Sequence, residues 1–191
     1  MVAVALFSCK KDTVSKTEKY IVSASKMIGL TGDNWNNAES KLKNKVGYQY
    51  TGSSANASNL VKAEVRLPAI DDSSKIENGA IYLNVAPDNV IYYAAYQTEP
   101  TAQAVAYAMM LNYNNESLKT LNGITSSSGS YQNNNIGGSA TVDDILSKLK
   151  SGQAAEQLAI SYRVSARGTI FTMIVFKQND GRYQFSYSGD W

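Results

Sequence analysis

Histidine is absent from the chain, and cysteine occurs once, at position 9. The first absence excludes Ser-His-Asp and Cys-His nucleophilic catalysis. It also excludes HExxH metalloproteases and zinc sites that mix histidine with cysteine. One cysteine allows no intrachain disulfide. Charge is modest: 18% of residues are charged and the net charge is +2. A nucleic-acid binder would concentrate basic residues in a patch, so no nucleic-acid partner is expected. No apolar run reaches the ~20 residues that a membrane-crossing helix needs. The chain has no GxGxxG, GxxxxGKS/T or GxSxG motif, and no EF-hand spacing of acidic ligands. The expectation is a non-catalytic protein with no cofactor and no metal. What the chain does have is 43% hydrophobic residues over 191 positions, enough for a core, and 13 tyrosines.

The cysteine lies in a telling context. Val2–Phe7 is apolar, Ser8 is small, and Cys9 follows, giving Leu6-Phe7-Ser8-Cys9. This tetrapeptide resembles the lipobox of bacterial lipoproteins. The resemblance implies cleavage before Cys9 and a diacylglycerol on its thiol, with the protein held in the cell envelope at the outer membrane, periplasmic or surface face. A full secretory signal has a basic region and a longer apolar stretch, so the true start is expected upstream of Met1. Residues 1–9 are then a signal remnant and 10–19 a polar tether (Lys10, Lys11, Asp12 and onward). Acyl chains supply ~0.8 kcal/mol per buried methylene, and the two lysines add attraction to anionic headgroups. Without the lipobox, the same residues are a short apolar N-terminus with a chance cysteine.

The rest of the chain alternates helical and strand patterns. Apolar spacing predicts helices over 20–30 and 34–45. Alternation predicts strands over 60–67, 80–85 and 90–97, with Asp71-Asp72 in a turn between them. Thr98 and Pro100 read as the start of a long helix over 101–121. Residues 124–140 are rich in Ser, Gly and Asn and read as a linker or mobile loop. Thr141 caps a helix over 142–150, with Asp143 and Asp144 at its positive end. Strands follow over 158–165, 169–177 and 182–188, the last two joined by an Asn179-Asp180-Gly181 hairpin. The expected fold is α+β: antiparallel sheet with helices packed on one face. Residues 20–123 form a first unit and 141–191 a second, packed with it as one core or standing as two domains.

Both units carry Ser-Lys-Leu-Lys on a helix, at 40–43 and 147–150, with three predicted strands after each. The chain therefore reads as a helix–β–β–β unit used twice. Two amphipathic helices converging on the same four residues is the alternative. That element order, with the ending Asp180-Gly181-Arg182-Tyr183 and Gly189-Asp190-Trp191, resembles PepSY-like and beta-lactamase-inhibitor-like secreted modules. The resemblance implies binding of other proteins without catalysis, and it carries no functional residue onto this chain.

An antiparallel sheet covered on one side leaves the other side wet. Alternation assigns Lys62, Glu64, Arg66, Ser161, Arg163, Arg182, Gln184 and Ser186 to that side. Of these, Lys62, Arg66, Arg163, Arg182 and Gln184 are the candidate contacts for an acidic peptide or carboxylated sugar, by bidentate hydrogen bonding at the arginines. Tyr131, in the Asn-rich segment, is the candidate ring for stacking on a glycan. The expected partners are the membrane, through Cys9, and a protein, peptide or glycan of the envelope. Two alternatives remain: a carboxylate-based hydrolase acting on envelope polymers, and a structural subunit of an envelope assembly.

Overall fold

The computed structural model describes residues 33–44, 49–55, 60–68, 76–121, 123–134, 136–164 and 169–190. The lipobox, the tether, the helix expected over 20–30 and the Asp71-Asp72 turn lie outside them. In chain order the elements are α1 (Trp35–Asn44), β1 (Gln49–Ala55), β2 (Leu60–Pro68), β3 (Ile76–Val85) and β4 (Ile91–Thr98). Then come α2 (Gln103–Thr120), β5 (Ile124–Asn133), β6 (Ile136–Ala140), α3 (Val142–Ser151), β7 (Gln157–Val164), β8 (Thr169–Lys177) and β9 (Tyr183–Asp190).

All nine strands join one antiparallel sheet in the order β1-β2-β3-β4-β9-β8-β7-β5-β6. The fold is α+β, as composition and periodicity predict. The two expected units share this sheet, because β4 pairs with β9 at its centre. Opposed residues trace a buried row across six strands: Ile81, Tyr96, Tyr187, Met173, Ile160 and Gly129. The helices lie on that side. Tyr113 of α2 sits against Tyr96 of β4 and against Phe185 and Tyr187 of β9, with ring centroids 6.5, 4.8 and 5.4 Å away. One aromatic cluster thus spans the junction of the halves. Ala106, Met110, Tyr113 and Ser117 form the buried stripe of α2, at three- and four-residue spacing. Asn114, buried beside it, accepts a 2.6 Å hydrogen bond from the Tyr162 hydroxyl of β7.

Four expectations are corrected. First, 124–140 is the β5–β6 hairpin and not a linker or loop. Its Ser and Gly content disguises it, since neither has high strand propensity. The small residues are used for packing: a Cβ on Gly129 would come within 2.7 Å of Ile145 and 2.8 Å of the Thr141 carbonyl oxygen. Second, an extra strand, β1, follows α1, so four strands rather than three complete the first half. Third, Thr98 ends β4 and does not cap α2. Its buried hydroxyl accepts from the Phe185 amide at 3.1 Å, while α2 starts behind Ala102 with no side-chain cap. The sheet partner wins because the backbone of β9 is already there. Fourth, Arg182 sits in the β8–β9 turn and not in a strand.

The expected cap at Thr141 is present. Its hydroxyl accepts from the Asp144 amide at 3.1 Å, and the Asp144 carboxylate accepts from the Thr141 amide at 3.1 Å. The Thr141 hydroxyl also donates to the Asp144 carboxylate at 2.7 Å, and that bond, followed by the one from the Thr141 amide, holds the exposed Asp144 carboxyl below its ordinary range. Gly152 closes α3 in the left-handed conformation, at φ 68°, which costs other residues more than glycine.

Candidate binding face

None of the three described helices covers the second face of the sheet; all three contribute to the one core. The register gives this open face row by row. One row runs Lys62, Tyr82, Ala95, Ser188, Thr172, Ser161, Ser128. The next runs Glu64, Ala80, Gln97, Ser186, Ile174, Ala159, Ser130, Ser139. These are mostly small or polar side chains. Ser161 and Thr172 share a 3.0 Å hydroxyl–hydroxyl hydrogen bond across the strands.

The candidate contacts do not converge. Lys62 and Arg66 lie in β2, in register with Tyr82 and Asn78 of β3. Arg163 is exposed on the open face in β7. Five strand steps separate β2 from β7, about 24 Å at ~4.8 Å per step. Arg182 is engaged in its turn. Its Nη2 and Nε each lie 2.7 Å from Asp180 Oδ2, and the arginine holds the Asp180 carboxyl below its usual range. Gln184 is on the open face in β9, where its amide donates to the Thr98 carbonyl and accepts from Gln178 at 3.0 Å.

Tyr131 is placed on the other face. It pairs with Leu158 and Gly138 and packs, half-buried, against the core beneath α3. A Cβ on Gly138 would stand 3.1–3.2 Å from its phenol group. Lys148 of α3 lies 5.4 Å from its ring centroid, a cation–π arrangement. The ring that the sequence offered for a glycan is therefore used to cover an edge glycine. The error follows from the loop assignment, since a residue in a strand has only two faces to choose from.

At one end of the open face the register brings together residues that the sequence reading passed over. Gln184, Phe176, Gln157, Gln132 and Gly137 are successive partners from β9 to β6. Beside them Glu156, Lys177, Gln178 and Asn179 complete a hollow of roughly 450 Å³. Its frame is tied at several points. The Glu156 amide donates to the Gln132 carbonyl at 3.0 Å, and the Lys177 amide donates to the Glu156 carbonyl at 2.7 Å. The alternation of 158–165, carried one residue back, puts Gln157 on the same face as Ser161 and Arg163. Gln132 was hidden by the loop assignment.

The acidic residues have other places. Asp33 accepts from the Asn34 amide, Asp88 from the Val90 amide and Asp180 from the Arg182 amide, each at a bend or turn. Asp143 and Asp144 open α3. No group of three or more Asp, Glu, His or Cys residues gathers to hold a metal among the described residues. No helix among them is long and apolar enough to cross a membrane. The buried ionisable groups are phenols on the helix side. Burial pushes Tyr107 up to about 12, while its hydroxyl donates to the Gln153 carbonyl at 3.0 Å. Burial raises Tyr162 and Tyr187 as well.

No protein-family model matches this chain, and neither a curated protein nor a solved structure matches it.

Proposed function

We propose that this protein is a lipid-anchored, non-catalytic binding module of the cell envelope. Cys9 carries the lipid, residues 10–19 are the tether, and the open face of the sheet takes the ligand. The observation that carries the binding half is the sheet face that none of the described helices covers. Three of the central strands present the half-buried Ser188, Ser186, Thr172 and Ser161 there. A small-residue face is suited to a broad macromolecular contact rather than to an enclosed small molecule. Asp88 and Asp180 are engaged at turns and Asp144 in the cap of α3, which supports this reading over carboxylate catalysis at those positions.

Two experiments test it. Mass spectrometry of the chain expressed from an upstream start should find a diacyl adduct on Cys9, absent from Cys9→Ala; an intact, unmodified N-terminus would remove the anchor and the envelope location. A photo-crosslinking residue at Thr172, on the open face, should capture an envelope component. The same residue at Asn115, exposed on α2, should not. Equal capture at both positions would argue against the open face.

A further inference from the structure

We infer that the hollow formed by Gln132, Gln157 and Phe176 is a subsite for a neutral saccharide chain. The inference rests on the binding-module reading and names the ligand class for one end of the open face.

The chemistry is that of amides around a ring. Gln132 and Gln157 face each other across β5 and β7, and Phe176 stands next to Gln157 on β8. Each carboxamide offers two donors and one acceptor oxygen, which matches hydroxyl groups that donate and accept at once. All three side chains are half-buried. The Phe176 ring supplies an electron-rich face, against which the slightly positive C–H groups of a sugar ring pack favourably. From β8 to β5 the row crosses two strand steps, about 10 Å, room for a short saccharide. The hollow's roughly 450 Å³ lies within the range of ligand sites, about 300–1,000 Å³.

Two features make the site selective for an uncharged chain. The charges at the hollow, Glu156 and Lys177, are of opposite sign. The Arg182 guanidinium, in the turn beside Gln178, is taken by Asp180, and Arg163 on β7 is six residues from Gln157, about 20 Å at ~3.3 Å per residue. An acidic sugar would find no bidentate partner in the hollow. Preorganisation comes from the neighbours. Gln178 and Gln184 hold each other at 3.0 Å, and the Gln178 amide donates to the Arg182 carbonyl at 2.7 Å. The rim on that side is therefore fixed before a ligand arrives, which reduces the ordering cost of binding.

The test uses the full chain with cellohexaose, mannohexaose and maltohexaose. Polygalacturonate and an extended Ser/Thr/Asn hexapeptide serve as comparison probes, and titration is followed by calorimetry and by the side-chain amide signals of Gln132 and Gln157. Binding to at least one neutral hexasaccharide is expected, weakened roughly tenfold or more by Phe176→Ala and by Gln157→Ala, and unchanged by Asn115→Ala on α2. The two variants guard against a folding defect, since Gln157→Ala removes no core contact. No binding to any neutral probe overturns the inference. So does binding confined to polygalacturonate, or to the peptide, or binding that survives both variants. In those cases the Thr172 crosslink still reports separately on the open face, so the two readings fail independently.

Discussion

The two halves of the sheet solve one problem with different chain orders. In the first, α1 comes before all its strands and the outer strand β1 follows the helix. In the second, the hairpin β5–β6 comes before α3, and β5 then pairs with β7. Both helices have ten residues and both carry Ser-Lys-Leu-Lys. Both begin at a capping side chain: Asn34 Oδ1 accepts from the Asn36 amide at 3.0 Å, and Thr141 makes the reciprocal box with Asp144. Yet the strand that borders the core on the outside is supplied from opposite sides of the helix in the chain. Local helix signals, the comparison teaches, specify an element and its ends but not which strand it will cover. That choice belongs to the sheet register and to α2, whose Tyr113 packs on both halves.

Breaking that shared contact has the largest expected effect. Tyr113→Ala should cost about 3–5 kcal/mol, the scale of a buried aromatic truncation. Urea unfolding should show both halves losing structure in one shifted transition; two separate transitions would mean that the halves are independent. Gly129→Ala comes next, at about 1–3 kcal/mol, because the new methyl meets the Thr141 carbonyl as well as Ile145. The same measurement checks it, and a neutral result would mean that α3 yields easily. Third, Thr141→Ala and Asn34→Ala should each cost about 1 kcal/mol. Equal losses would strengthen the correspondence of α1 with α3; a loss at Thr141 alone would weaken it.

The smallest effect concerns pH and distinguishes the two caps, since only α3 has a carboxylate in its box. The Asp144 pKa is lowered in the folded state. Its contribution is therefore present above the ordinary carboxylate value of 3.8. It is lost as pH falls through the lower native value. Asp144→Asn should flatten that part of the acid limb in a stability–pH profile, and an unchanged limb would remove the box from the account. At the alkaline end the sign reverses. The raised Tyr107 phenol contributes below pH ~10, and that contribution is lost as pH rises toward about 12. Tyr107→Phe should reduce the alkaline fall.

The candidate site was less legible than the fold. Alternation placed Ser161 and Arg163 on the open face, and the register agrees. It failed at Arg182, because a hairpin turn interrupts the two-residue period and Asp180 is close enough to take the guanidinium. It was not applied at Tyr131, because a Ser- and Gly-rich strand has the composition of a loop. The Gln132–Gln157–Phe176 row was invisible for another reason. Its members are 25 and 19 residues apart in sequence, and only pairing brings them side by side.

By itself the sequence determined the α+β class, the helix expected over 142–150 with its Thr141 cap and Gly152 end, and most strand positions. These follow from interactions within a few residues: periodicity, capping, turn chemistry. It also excluded histidine-based chemistry outright. The tertiary structure alone decided that the halves form one sheet through β4 and β9, that Thr98 serves β9 rather than α2, and which side chains share the open face. Those outcomes depend on hydrogen bonds between strands distant in the chain. Their register is selected by burying Tyr96, Tyr113 and Tyr187 together, a long-range condition that no local pattern contains.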